Sequence, residues 1–384
     1  MNRLLAVLAT QSILSVSLVL SQANGVQVLG LDDSLATSVV EAINRNELER
    51  ADRIIEDQLA RDSTSLQWLF LRGMRNYADL FAVSSFNKKA LAKMKEDMGR
   101  ASELGERRLE ENPNDLYALF YTGGAYGYLG IAKAAEGSLF GGVGTAKKGF
   151  NMHEDLIELL PECYDAYLGP GMMNLMTSDV PWILKPIMWL FGLSGSEDKA
   201  YEYLSIAYEK GKLVRLEAGT YLAQLFERRK EFKKSFETYS QLIQKYPMRI
   251  GLRVESTSSL WAEDRYDDVI ALAKSSIDVF ESGQYFFTKA DSAWMPSVVL
   301  NYSRAYKLKG DTTSAINVLE DFTHKEVYNS INKWRIHSSL ADFYALKKDT
   351  MKLIANYKAV LADDAPDDTK KRVQEALGKI NSSK

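Results

Sequence analysis

The stretch Leu216–Pro247, LEAGTYLAQLFERRKEFKKSFETYSQLIQKYP, constrains this chain more than any other. Counted from Leu216 as position 1, it has Leu222 and Ala223 at 7 and 8 and Phe226 at 11. Ser235 follows at 20, Tyr239 at 24, Leu242 at 27 and Pro247 at 32. The same register returns along the chain. Small or apolar residues standing at position 20 are Ala51, Ala101, Gly149, Ala200, Ser235, Val269, Ala315 and Leu353, spaced by 50, 48, 51, 35, 34, 46 and 38 residues. Ala101, Gly149 and Ser235 have a proline 12 residues on (Pro113, Pro161, Pro247), and Leu353 has one 13 residues on (Pro366). A self-similar period of this size marks one supersecondary unit stacked many times.

The pattern resembles the tetratricopeptide repeat (TPR) family, over roughly residues 35–366. The resemblance implies helix pairs that touch closely at the small residues, with proline stopping the second helix. The expected fold is all-α: a TPR-like α-α superhelix, or solenoid, of about eight helix pairs. Enlarged units fill 66–213, and regular ones fill 216–283 and 296–366. The first unit is atypical, with Ser63 where proline is usual. Units two to four are all too long, with position 20 about 16, 14 and 17 residues late. Unbroken periodicity predicts two lengthened helices in unit two. Glycine and proline predict true insertions in units three and four. Unit seven opens at Pro296, after an extra dozen residues. The tail from Asp367 reads as an amphipathic helix, striped by Val373, Leu377 and Ile380, that caps the open end within 367–384.

Residues 1–23 read as a cleaved signal peptide. Met1-Asn2-Arg3 is a basic start, Leu4–Leu20 is apolar and uncharged, and Ser21-Gln22-Ala23 supplies the small residues of a cut site. No cysteine lies there to carry a lipid, so the expected location is periplasmic or extracellular. The single cysteine, Cys163, makes no internal disulfide and reads as a packed residue. A formal charge of -3 gives no reason to expect nucleic acid. Lys88, Lys89, Lys93 and Lys95 form a local basic run that reads as a solvated helix face.

Catalysis finds little support. His153, His324 and His337 are isolated, with no partner at metal spacing. No cofactor, metal or catalytic residue is expected, and the chain does not read as an enzyme. Gly137–Gly149 looks like a phosphate loop but lacks the Gly-Lys-Ser/Thr succession, because Thr145 precedes Lys147. It reads as a flexible turn into the second helix of unit three.

The first helices of a TPR array line its concave face. In units three and four these positions hold Tyr117, Phe120, Gly124, Gly127, Asp165, Leu168, Met172 and Leu175; in units five to eight they include Glu217, Gln224, Arg304, Lys307, Arg335 and Asp342. One half is apolar and the other polar, which suits an extended peptide or a helix with an apolar anchor. The most apolar stretch of the mature chain, 180–193, is too short to span a bilayer and is broken by Pro186. It packs as an internal plug, contacts a membrane surface through Trp182 and Trp189, or lines a ligand pocket. The run from Tyr164-Asp165-Ala166-Tyr167 through this segment to Tyr246-Pro247 resembles a group of exported bacterial TPR proteins. The expected function is non-catalytic binding of a protein or peptide partner in the cell envelope, through Tyr117, Phe120, Tyr121, Met172, Leu175, Trp182 and Trp189. The alternatives are a membrane-associated envelope-assembly factor and a binder of an apolar small molecule or lipid.

Overall fold

Helix formers between evenly spaced breakers leave this sequence one economical structure, a series of antiparallel helix pairs. The computed structural model describes residues 34–80, 87–178, 180, 181, 183, 192, 194–325 and 332–382, and no strand occurs among them. The helices in chain order are α1 Ser34–Asn44, α2 Leu48–Arg61, α3 Leu66–Ala78, α4 Lys88–Glu111, α5 Leu116–Ala135 and α6 Leu139–Leu159. A 3-10 turn, Tyr164–Tyr167, leads into α7 Leu168–Ser178 and α8 Glu197–Lys210. Next come α9 Arg215–Arg228, α10 Phe232–Lys245, α11 Ile250–Glu255, α12 Thr257–Ala262 and α13 Tyr266–Glu281. The last are α14 Lys289–Leu308, α15 Thr312–His324, α16 Trp334–Leu346, α17 Thr350–Ala362 and α18 Asp367–Ser382. By contacts the chain forms two compact units, one of residues up to Ala78 with Lys88–Leu225, the other of Asp79–Asn87 with Phe226 onward.

Two recurring turns build the pairs. Within six of them the first helix ends in a residue of positive φ: Asn46, Gly137, Lys230, Asp264, Gly310 and Lys348. The next residue's N–H then reaches back five positions, as in Glu47→Ala42 (2.8 Å), Glu231→Phe226 (2.8 Å), Arg265→Leu260 (2.9 Å) and Asp349→Tyr344 (3.0 Å). This is the Schellman arrangement, which satisfies the orphan carbonyls of a helix end and reverses the chain in about two residues. Between pairs the chain makes an i→i+3 turn, with Ser65→Asp62 (3.4 Å), Asp115→Asn112 (3.0 Å), Cys163→Leu160 (3.0 Å) and Arg249→Tyr246 (3.0 Å). In three of these turns the second position is Pro113, Pro161 or Pro247, where a fixed φ is an advantage. Ser63 takes that place in the first, after an extended Asp62 at φ -141 and ψ 95.

Small residues let each pair close. Ala51, Ala101, Ala200, Ser235, Val269 and Ala315 are all fully buried. In the pair α5 and α6, glycines face each other. A Cβ on Gly149 would stand 2.3 Å from the Gly123 carbonyl oxygen, and one on Gly142 would stand 2.7 Å from that of Gly130. This corrects the reading of Gly137–Gly149. Apart from Gly137 and Ser138 in the turn, the run is helix, and its glycines answer to backbone contact between helices rather than to loop flexibility. Unit three therefore has lengthened helices, of 20 and 21 residues, and no insertion. In unit two only the second helix is long, at 24 residues, while α3 stops at Ala78. The expected insertion of unit four falls on 179–196, mostly outside the described residues, as does the segment 1–33 that holds the expected signal peptide.

In the second unit, Ile250, Met295, Val299, Leu319, Ile336 and Leu340 share one apolar core. Unit seven begins before Pro296. Thr288 and Asp291 form a capping box that starts α14 at Lys289 and leaves Pro296 inside the helix. Such a cap satisfies both early donors, so it overrides the start that a proline signals. At the C-terminal end, Val373 of α18 is buried with Val360 and Ala365, and Leu377 packs against them.

These turns and contacts make three predictions. Ser63→Pro stabilises the chain by about 0.4–1 kcal/mol in urea unfolding, since the preceding residue is already extended. Gly149→Ala destabilises it by about 1–3 kcal/mol through overpacking. Gly144→Ala, whose Cβ meets nothing within 4 Å, stabilises it by about 0.5–1 kcal/mol.

Candidate functional site

The helices of the first unit carry an aromatic ladder. Tyr117 and Tyr121 of α5 lie 4.9 Å apart by ring centroids. Phe70 of α3 meets Tyr121 at 5.6 Å and Tyr128 at 5.8 Å, both edge to face. Tyr77 then meets Tyr128 at 5.0 Å. Edge-to-face pairs at these distances add to the burial energy of the rings. The middle of the ladder is core, for Tyr121 is fully buried and Phe70 nearly so. Its two ends, Tyr117 and the Tyr77–Tyr128 pair, are half-buried.

Glycine decides what lies between the rings. Phe70 packs so closely on Gly124 that a Cβ there would be 2.7 Å from its ring. One helical turn further, Gly127 has no atom near its Cβ direction. The ladder therefore borders an open floor at Gly127, next to Tyr128. Glu217, in the first turn of α9, brings a carboxylate to this end. Burial foremost, and then the Glu217 charge, push the Tyr77 phenol above its ordinary range. The same two causes push Tyr128 well above it, with Tyr77 and Tyr221 adding to the effect. Tyr77, Tyr128, Glu217 and Tyr221 thus act on one another although they lie up to 144 positions apart in sequence.

The expected site residues separate on this frame. Tyr117 sits at the far end of the ladder, its hydroxyl accepting from the Gln67 N–H at 3.0 Å. It faces a cleft of about 440 Å³ shared with Asp62, Arg107, Arg108 and Glu111. The Arg108 guanidinium lies over its ring at 5.2 Å. Phe120, Tyr121 and Leu175 are buried and serve the core, while Met172 is half-buried. Trp182 and Trp189 lie outside the described residues. Asp165 does not face the groove. It is buried, and its carboxylate accepts the backbone N–H groups of Lys212 (2.9 Å), Leu213 (2.6 Å) and Val214 (3.1 Å) just before α9. Phe70, Tyr77 and Tyr128 were missed, yet Phe70 and Tyr77 stand at positions 5 and 12 of the unit opening at Leu66, where the repeat register places inward-facing residues.

His153 explains why Phe120 is held so firmly. Its Nε2–H donates to the Phe120 carbonyl at 3.0 Å, and its ring stacks on the Phe120 ring at 5.8 Å. Gly123 and Gly169 leave room on either side, where a Cβ would come within 2.5 and 2.9 Å of the imidazole. Burial keeps the ring below its usual pKa. Cys163 is buried too, and its thiol is pushed up by burial, which removes it as a nucleophile. No group of three or more His, Cys, Asp or Glu side chains that could hold a metal occurs among the described residues.

No protein-family model matches the chain, and no curated protein does. Among solved structures it is similar to the TPR protein TTC0263 of Thermus thermophilus, at 18% identity and a TM-score of 0.37, covering 60% of this chain and 98% of that one. It is also similar to yeast Tom70, at 14% identity and 0.40, covering 84% and 66%. A third likeness is to the human IFIT1 dimer with m7Gppp-AAAA, at 14% identity and 0.38, covering 86% and 68%. These likenesses are too distant to carry weight. The description of the chain as TPR-like helix pairs rests on its own turns and packing.

The buried imidazole sets a pH dependence. His153 is neutral in the fold, whereas the unfolded chain titrates near 6.5. The unfolded state therefore binds the extra proton, and stability that is full above about pH 6.5 falls as the pH drops from there toward the depressed folded value. Urea unfolding between pH 7.5 and 5.5 will show this slope, and His153→Gln will flatten it. An equal slope in both proteins would exclude His153 as its source.

Proposed function

We propose that this chain is a non-catalytic interaction scaffold that binds a segment of a protein or peptide along the first helices of its first unit. The observation that supports this most directly is the half-buried end of the aromatic ladder, where Tyr77 and Tyr128 lie beside the open space at Gly127. Rigid phenolic rings supply contact area at little entropic cost, and their hydroxyls take hydrogen bonds at the rim. The Glu217 carboxylate beside them favours a segment that combines an apolar side chain with a cationic one. Rings and charge together select such a segment through cation–π and ionic attraction. Within this reading the chain is exported through the segment 1–23, and its partner resides in the cell envelope.

The test fills the floor without touching the core. Gly127→Phe, at a position where a new side chain meets open space, should leave the melting temperature nearly unchanged. It should also abolish retention of peptides selected from a random display library by the wild-type protein. Glu217→Gln should weaken the cationic members of that set by about tenfold, the worth of one charge-assisted contact. A selected set that binds both variants as well as wild type would place the site elsewhere.

A further inference from the structure

Helices α4, α5 and α6 share one departure from the rest of the first unit: all three are too long. α5 has seven residues more than α3, or about 10 Å of extra helix, and α6 and α4 match it. The start of α4, the end of α5 and the start of α6 meet at one end of these long helices, here called the arm. Lys95 of α4 is bonded to Glu136 at the end of α5 at 2.6 Å. Lys133 of α5 donates to Thr145 of α6 at 2.8 Å. The arm is thus braced along both of its helix contacts.

Its tip has an unusual composition. The turn from α5 into α6 puts Leu139 and Phe140 side by side at the apex, 66% and 57% exposed. Ala135–Gly141 are all exposed. Around them, α4 begins with Lys88 and Lys89, and Lys93 follows one turn later. All three are exposed, and Lys95 and Lys133 lie at the same end. The acidic groups there are Glu136, held by Lys95, Glu96, and Asp79, which is tied to Asn87 just before Lys88, so five lysines face three carboxylates and the tip is net positive.

We infer that the tip of this arm inserts into the surface of an anionic lipid bilayer, with Leu139 and Phe140 entering the interface and the lysines resting on the headgroups. Charge and shape favour this occupant. A stable protein interface needs roughly 800 Å² on each partner, and two apolar side chains on a narrow apex fall well short of that. Shallow burial of one or two large apolar groups, combined with several lysines near an anionic surface, is sufficient for reversible membrane attachment. No helix among the described residues is long and apolar enough to cross a membrane, so the attachment is peripheral. The inference does not depend on the peptide groove, which lies along the first helices rather than at the apex. It also differs from the lipid contact expected through 180–193.

The experiment is vesicle sedimentation of the mature protein with phosphatidylcholine alone or with added phosphatidylglycerol, at low and at high salt. The wild type should bind the anionic vesicles and release them as salt rises. Leu139→Ser with Phe140→Ser should reduce binding by about tenfold or more. Lys88→Glu with Lys89→Glu and Lys93→Glu should reduce it similarly and remove the salt dependence. All five positions are exposed, and thermal melts would check that folding is intact. Leu139→Cys carrying a polarity-sensitive dye gives an independent readout, because Cys163 is buried and escapes labelling. Its emission should shift to the blue on anionic vesicles. Wild-type protein left in the supernatant, binding unchanged by the tip variants, or a dye that senses no lipid would each overturn the inference. So would a dye that responds only to an added protein.

Discussion

Everything in this fold depends on bringing two antiparallel helix backbones together within a two-residue reversal. The reversal is possible because one residue takes a left-handed conformation and the next N–H returns to the helix it has just left, as at Asn46–Glu47, Lys230–Glu231 and Lys348–Asp349. Only two of the six such residues are glycine, so at the other four the chain accepts a local backbone penalty. Packing makes up for it. Beyond several of these turns the second helix presents a small buried residue to the first, such as Ala51, Ser235 or Ala315, and the pair closes over it. Repetition of this device, rather than any long-range pairing, makes the molecule.

The pair α5–α6 takes the device furthest. Alanine normally stands at the contact, but here glycine faces glycine, so carbonyl oxygens lie where side chains would otherwise be. Two long helices can then run together for their whole length. That closeness has two consequences at opposite ends of the pair. Near the base, it leaves space for His153 to reach the Phe120 carbonyl and pin the ladder. Near the apex, it carries Leu139 and Phe140 clear of the core. The pinned aromatic ladder and the exposed apex thus follow from one packing solution.

The repeat register was legible because it is local. Small residues, aromatics and prolines at fixed offsets report on one turn and one helix contact, and each lies within a few tens of residues of its partner. Ser63 was recognised as an irregular residue at a proline position, and the structure shows why it is tolerated there: the i→i+3 turn at Asp62–Ser65 forms without a ring to fix φ. The glycine run of α6 was misread for a physical reason. A glycine in one sequence signals either a backbone that must bend or a neighbour that must come close, and only the facing glycines of α5 distinguish the two. Pro296 was misread because a proline at a helix start and one tolerated inside a helix look alike until the capping box at Thr288 is seen.

By itself the sequence determined an all-α chain of helix pairs, the places where the pairs close, and the absence of recognisable catalytic or metal motifs. These properties follow from spacing, propensity and residue type. The tertiary structure alone decided which aromatics are core and which stay partly accessible. Tyr121 and Phe120 became buried, while Tyr77 and Tyr128 stayed half-buried beside Glu217. It also decided that the basic run of α4 and the apex of α5–α6 share one end of the unit. Burial and encounter depend on how far each helix extends past its neighbours, and that is a property of several helices together, which no single stretch of sequence contains.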